Sequence, residues 1–129
     1  MLDASALLCF MFDEPGAEKV EAAFADRAVI GAVNWAEALS KVADLGGDPG
    51  EMIAHLDDHA LLNDALRVVE LTAVDGLAIA QLRPRTRDLG LSLGDRACLA
   101  LAQRLGLPAL TCDRVWAHLD AGVAVELVR

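Results

Sequence analysis

The chain has few aromatic residues: they make up 4% of its 129 residues, and tyrosine is absent. Single-stranded RNA is commonly bound by stacking on aromatic rings, so this composition slightly disfavours such a partner. Long apolar runs are also missing, because the longest charge-free segments, 4–12 and 28–36, have about half the length that spans a bilayer. The N-terminus lacks the basic region of a signal peptide. We therefore expect a cytoplasmic protein without a membrane segment.

Several familiar site motifs are missing as well. The three cysteines show no CxxC spacing and lie in apolar segments, which favours reduced, buried thiols. The sequence contains no GxGxxG or GxxxxGK[ST] motif. Dinucleotide binding and a phosphate-binding loop are therefore unsupported. His55 and His59 have the spacing of a zinc-binding helix, but Leu56 stands where such helices carry the catalytic Glu, so a solvated helix face is favoured.

The net charge of −9, with only two lysines, argues by itself against a nucleic-acid partner. The distribution of the basic residues weakens this argument. Six of the 11 fall within one stretch of 32 residues, namely Arg83, Arg85, Arg87, Arg96, Arg104 and Arg114. Some of them could simply interact with a helix dipole, and others could contact a phosphate backbone.

The length and the 55% hydrophobic content suit one domain covering residues 1–129. Short apolar runs alternate with amphipathic stretches, a pattern that predicts an α/β fold with a mainly parallel sheet. Strands are predicted at 1–4, 28–32, 66–71, 108–112 and 123–128. Helices are predicted up to residue 12, at 16–25 and 34–45, from Pro49 onward, at 72–82, where Arg83 and Pro84 should break the helix, at 92–105, and from Asp113 to Leu119.

Four acidic residues occupy positions where a sheet of this kind gathers ligands, beyond the carboxyl ends of its strands. Asp3 and Asp113 end predicted strands, Asp95 lies in the first turn of a helix, and Glu37 lies one turn into another. Asp95 and Asp113 could merely cap helices, and Glu37 could face solvent. If the strands at 1–4 and 109–112 are neighbours, however, all four carboxylates could converge.

Such a convergence would require a cation. Two carboxylates about 4 Å apart repel by roughly 4 kcal/mol at an effective dielectric constant of 20. Oxygen ligands without a nearby His or Cys favour Mg²⁺ or Mn²⁺ over Zn²⁺. A site of this kind can activate water and stabilise a phosphoryl transition state, which predicts a hydrolase acting on phosphodiesters.

Four segments, LDASAL at 2–7, NWAEALSK at 34–41, LSLGDRACLA at 91–100 and LTCDRVW at 110–116, resemble the PIN domain. More narrowly, they are similar to the VapC ribonuclease toxins of bacterial toxin–antitoxin pairs. The resemblance implies a three-layer α/β/α domain with a mainly parallel central sheet, and a Mg²⁺-dependent endoribonuclease in which Mn²⁺ can substitute. It also implies an RNA substrate, a homodimer and a cognate VapB-type antitoxin whose C-terminal segment lies across the acidic groove.

The resemblance also assigns roles to particular residues. Asp3, Glu37, Asp95 and Asp113 match the acidic quartet, with Asp3 and Asp95 expected to contact the metal and the other two to act partly through water. Ser5 is expected to orient Asp3 by hydrogen bonding.

Two hypotheses rest on other grounds. Arg96, next to Asp95, could pair with a motif acid or reach a substrate phosphate. A PIN-like module that binds a partner protein and cleaves RNA poorly is the alternative to the nuclease.

Overall fold

The computed structural model describes residues 1–120 and 122–129. Its α-helices are α1 (Ala4–Met11), α2 (Ala17–Ala25), α3 (Ala32–Asp44), α4 (Pro49–Asp58), α5 (Ala73–Thr86) and α6 (Leu93–Leu105). Its strands are β1 (Ala28–Gly31), β2 (Leu66–Val69), β3 (Ala109–Thr111) and β4 (Val125–Leu127), and a 3₁₀ helix covers Arg114–His118. Among the described residues, no helix combines the length and the apolar character needed to cross a membrane.

All strand pairs are parallel, as the sequence predicts. β1 pairs with β2, and β3 pairs with β4. Leu2 joins the two pairs, because it forms parallel bridges to Ile30 of β1 and to Leu110 of β3. The strand predicted at 1–4 is therefore reduced to one bridging residue in the middle of the sheet. Asp3, which follows Leu2, accepts a hydrogen bond from the Ala6 backbone N–H and so starts α1 at once.

Helices cover both faces of this sheet. Successive strand residues point to opposite faces, and β1 shows this directly: Val29 belongs to one apolar cluster and Ile30 to the other. The Val29 cluster is built mainly from α5, α6 and Trp116, and the Ile30 cluster mainly from α1 and α2. The predicted three-layer α/β/α architecture is thus confirmed.

One predicted helix end is wrong. The helix starting after Thr72 was expected to break at Arg83 and Pro84, yet α5 continues to Thr86. Pro84 removes one backbone hydrogen bond, but Leu82 and Thr86 on either side of it are buried. The Thr86 hydroxyl also donates to the Leu82 carbonyl at 3.0 Å. Burial of this last turn therefore outweighs the helix-breaking tendency of proline.

Local signals placed the other helix ends well. Asp48 caps α4 through the backbone N–H groups of Gly50 and Glu51, and Pro49 is the first residue of that helix. Ser92 caps α6, and Gly106 ends it in a left-handed conformation with φ of 65°. These caps matter for the site, because they determine where α6 begins and hence where Asp95 lies.

Candidate active site

Asp3 is a buried carboxylate at the carboxyl edge of the sheet, with 3% of its surface exposed. It accepts hydrogen bonds from the Ala6 backbone N–H at 2.7 Å, the Ser5 hydroxyl at 2.9 Å and the Thr111 hydroxyl at 2.6 Å. The orienting role predicted for Ser5 agrees with this geometry. These three donors hold the carboxylate in one orientation.

The pKa of Asp3 is raised to about 6, mainly by burial and to a smaller extent by the negative charge of Asp95. The hydrogen bonds from Thr111, Ala6 and Ser5 act in the opposite direction, because each stabilises the ionised form. Asp3 is therefore mostly ionised at pH 7 but takes up a proton in mildly acidic solution.

Ser5 and Thr111 also bind the chain that follows β3. The Ser5 hydroxyl accepts a hydrogen bond from the Cys112 backbone N–H at 2.9 Å, and the Thr111 hydroxyl accepts one from the Asp113 N–H at 3.0 Å. The Asp113 side chain is exposed and accepts a hydrogen bond from the Val115 N–H at 3.0 Å. The backbone of Asp113 is thus tied to the surroundings of Asp3, while its carboxylate caps the 3₁₀ helix.

Asp95 combines the two roles that the sequence left open. It is the third residue of α6 and completes a capping box, because its carboxylate accepts from the Ser92 N–H at 2.6 Å while its own N–H donates to the Ser92 hydroxyl at 3.1 Å. Its charge also raises the pKa of both Asp3 and Glu37. Asp95 is therefore both a helix cap and a member of the acidic group.

Glu37 lies on α3 and is accessible to solvent, but its carboxylate rests against the first turn of α6. A Cβ atom placed on Gly94 would lie 2.5 Å from Glu37 Oε2. Partial burial, followed by the charge of Asp95, raises the pKa of Glu37. The structure therefore places the exposed Glu37 side chain beside the turn that carries Asp95.

Two polar residues of this region are not among the site residues predicted from the sequence. Thr111 is fully buried in β3 and donates to Asp3, and Asn34 is 1% exposed on α3 and donates to the Gly94 carbonyl at 3.0 Å. Each had a signal in the sequence. Thr111 lies two residues before Asp113 in an apolar strand, and Asn34 lies one helical turn before Glu37.

Arg96 is anchored by backbone carbonyls. Its Nε donates to the Ser92 carbonyl at 3.2 Å and its Nη1 to the Ile79 carbonyl at 3.4 Å, so it links the first turn of α6 to α5. The substrate-binding role of Arg96 stays a prediction. His55 and His59 lie exposed on α4 with ring centroids 4.3 Å apart, in keeping with the solvated face expected for them.

The donor set suits a hard divalent cation better than a soft one. Asp95 is close enough to Asp3 and to Glu37 for its charge to act on both, and the hydroxyl groups of Ser5 and Thr111 bind Asp3. Cys98 lies behind the acids, but burial raises the pKa of its thiol well above the usual value, so it is protonated and a poor ligand. Within residues 1–120 and 122–129, no group of three or more acidic, His or Cys side chains is arranged to hold a metal ion directly. Water would therefore have to complete the coordination of a cation here.

Comparison with known proteins identifies the family. A family model for the PIN domain matches residues 1–122. The chain belongs to the PIN domain family. A sequence search of curated proteins found no match. The predicted family and fold are thus confirmed, and PIN domains are generally nucleases.

Solved structures share the fold of this PIN domain at low sequence identity. A toxin–antitoxin complex from Klebsiella pneumoniae is 17% identical, with 99% of this chain and 96% of that chain covered and a TM-score of 0.71. VapBC2 from Rickettsia felis, bound to a DNA fragment from its promoter, is 15% identical, with 98% and 96% covered and a TM-score of 0.73. DNA-bound VapBC from Salmonella typhimurium is 16% identical, with 100% and 97% covered and a TM-score of 0.73.

Proposed function

We propose that this PIN domain, as a single domain over residues 1–129, is a VapC-type toxin that acts as a Mg²⁺-dependent endoribonuclease in the cytoplasm. Its reaction is hydrolysis of RNA phosphodiester bonds, with Mn²⁺ able to replace Mg²⁺. The observation that carries the proposal is the convergence of Asp3, Glu37 and Asp95 at the carboxyl edge of the sheet. Burial is the main cause of the raised pKa values of Asp3 and Glu37, and the charge of Asp95 adds to both, a repulsion that a divalent cation would relieve.

In this proposal Asp3 and Asp95 hold the metal, and Glu37 and Asp113 act through water. A divalent cation bound there would supply positive charge that activates water and stabilises the phosphoryl transition state. Ser5 and Thr111 orient Asp3, since both hydroxyls donate to its carboxylate. Glu37 is accessible and has a raised pKa, so it is suited to accept a proton from attacking water.

A VapB-type antitoxin and a second copy of this chain are the proposed protein partners. The first two neighbouring structures described above are a toxin–antitoxin complex and VapBC2, with folds matching this chain over at least 98% of its length. A groove of about 430 Å³ runs beside Glu37 between α1 and α3, and its lining includes Ala4, Leu8, Glu37 and Lys41. A peptide from the antitoxin lying there would cover the acidic site and block cleavage.

The alternative is a protein-binding module with little nuclease activity. It is favoured by the absence, among the described residues, of a group of three side chains arranged to hold a metal ion directly. On this alternative the same groove binds a partner, and the acids only shape its charge.

Cleavage of labelled total RNA by antitoxin-free protein, with Mg²⁺, Mn²⁺ or EDTA, tests the nuclease proposal. We expect cuts that require metal and disappear in Asp95→Asn. Asp75→Asn is the matched control, because Asp75 caps α5 in the same way that Asp95 caps α6. Absence of cleavage in every metal, from protein with a cooperative thermal transition, would contradict the nuclease and favour the binding module.

A further inference from the structure

Helices α3 and α6 meet through an amide and a glycine beside the acids. The Asn34 side chain donates from Nδ2 to the Gly94 carbonyl at 3.0 Å. One turn further along α3, the Glu37 carboxylate rests on the same glycine. A Cβ atom at position 94 would lie 2.5 Å from Glu37 Oε2 and 3.6 Å from Asn34 Nδ2. The first of these distances is too short for any real contact, so a side chain at position 94 would have to displace the Glu37 carboxylate.

Stability alone does not explain an asparagine at position 34. Its Oδ1 is buried and has no hydrogen-bond partner among the described residues, a situation that is unfavourable for stability. The Gly94 carbonyl does not need the amide either, because it lies in the first turn of α6, where the helix supplies the N–H four residues further on. A leucine, which has a similar branched shape, would avoid the unpartnered oxygen. What the amide adds is a fixed spacing between α3 and α6.

We propose that Asn34 and Gly94 are positioning residues that hold Glu37 next to Asp95 and thereby raise the affinity of the site for a divalent cation. Asn34 lies one turn before Glu37, and Gly94 directly precedes Asp95, so the Asn34–Gly94 hydrogen bond joins the two backbones that carry these acids. The inference rests on the proposed function, because it assumes that the acids bind a metal ion. It adds two uncharged residues that act through the acids and do not touch the metal.

Calorimetric titration of the metal-free chain with Mn²⁺ tests the proposal. For Gly94→Ala and for Asn34→Leu we expect the Kd for Mn²⁺ to rise about 10- to 100-fold, the usual effect of removing a group that orients metal ligands. Gly76→Ala is the control. Gly76 follows Asp75 in the first turn of α5, and no atom lies within 4 Å of a Cβ atom placed there. It should leave the Kd for Mn²⁺ unchanged within about twofold.

A double-mutant cycle in metal-free buffer tests the contact itself. Gly94→Ala should change the melting temperature less favourably in the native background than when Glu37 is also replaced by alanine, because only in the native chain must the new methyl group displace the Glu37 carboxylate. Equal melting-temperature changes in both backgrounds would show that a side chain at position 94 does not meet Glu37, and would overturn the proposal. If Gly94→Ala does not fold, Asn34→Leu decides through its Kd.

The outcomes separate the inference from the proposed function. Unchanged Mn²⁺ affinity in both variants, with Mn²⁺ bound by the native protein, overturns the positioning role and leaves the nuclease proposal intact. No Mn²⁺ binding by the native protein contradicts the metal site, and the positioning role fails with it.

Discussion

Asp95 and Asp75 occupy the same position in two capping boxes, yet only Asp95 belongs to the acidic group. Each is the third residue of its helix and accepts a hydrogen bond from the backbone N–H of the capping residue, at 2.6 Å from Ser92 and 2.7 Å from Thr72. Asp75 forms an ion pair with Arg104 at 2.7 Å, whereas the charge of Asp95 raises the pKa of its acidic neighbours. The same local motif therefore meets a positive charge in α5 and the negative charges of neighbouring carboxylates in α6.

Asparagine substitutions at these two positions should have opposite effects. Asp95→Asn should abolish metal-dependent cleavage while keeping or raising the melting temperature in EDTA, because relief of carboxylate repulsion offsets a capping loss of about 1 kcal/mol or less. Asp75→Asn should cleave RNA normally at 25 °C, but its free energy of unfolding should be lower by about 1–3 kcal/mol. The substitution weakens the interaction with Arg104, which is 33% exposed. Thermal melts and RNA cleavage check both; full activity in Asp95→Asn would contradict its assigned role.

Asp3 should make the metal-free protein less stable as the pH rises from about 4 to 7. Its folded pKa of about 6 lies above the ordinary value of 3.8 for an aspartate, so the folded state binds more protons than the unfolded state within this window. The contribution of Asp3 is thus favourable at low pH and is lost as the pH rises through 6. A pKa raised from 3.8 to about 6 corresponds to a loss of at most about 3 kcal/mol in the free energy of unfolding.

Urea unfolding of the native protein and of Asp3→Asn, in EDTA between pH 4 and 7.5, measures this dependence. Subtracting the two curves removes the titration of the other acids. We expect Asp3→Asn to gain stability relative to the native chain as the pH rises. A difference that is independent of pH would show that the Asp3 carboxyl group titrates normally.

Thr111 should act on cleavage through Asp3. Thr111→Val removes the 2.6 Å hydrogen bond to the buried carboxylate, so the pKa of Asp3 should rise and the pH–rate profile should shift to higher pH. Thr111→Ser retains the hydroxyl and should restore the profile. If valine lowers the rate equally at every pH, the hydroxyl contributes to packing alone.

Arg96 offers a test of substrate contact against scaffold. Arg96→Ala should weaken RNA binding and reduce the slope of log affinity against log salt by about 0.7 if its guanidinium contacts one phosphate of a single strand. Binding is measured in EDTA, so that cleavage does not interfere. Arg27→Ala is the charge-matched control. Arg27 is exposed and directly precedes β1, at the amino ends of the strands and away from the acids. An unchanged slope in Arg96→Ala would show that Arg96 does not contact an RNA phosphate. Its role would then be structural, through its hydrogen bonds to the Ser92 and Ile79 carbonyls.

Short-range signals in the sequence account for the features that depend on neighbours a few residues apart. Helix starts at Asp48 and Ser92, the helix end at Gly106, the parallel α/β pattern and the family motifs all rest on such short-range signals. The prediction of Asp3, Glu37, Asp95 and Asp113 as site acids rests on the same short-range signals and on the family motifs. The break expected at Pro84 failed, because burial of Leu82 and Thr86 depends on packing that the local signal does not contain.

Which side chains bind or position these acids depends on long-range contacts. Thr111 reaches Asp3 across 108 positions of the chain, and Asn34 reaches Gly94 across 60. These contacts exist because Leu2 bridges β1 and β3 and because α3 packs on α6. Helix caps and hydrophobic periodicity follow from the conformation of one chain segment. Burial and carboxylate repulsion depend instead on which distant segments the fold brings together. For this reason the sequence predicted the elements and the acids but not the side chains that bind them.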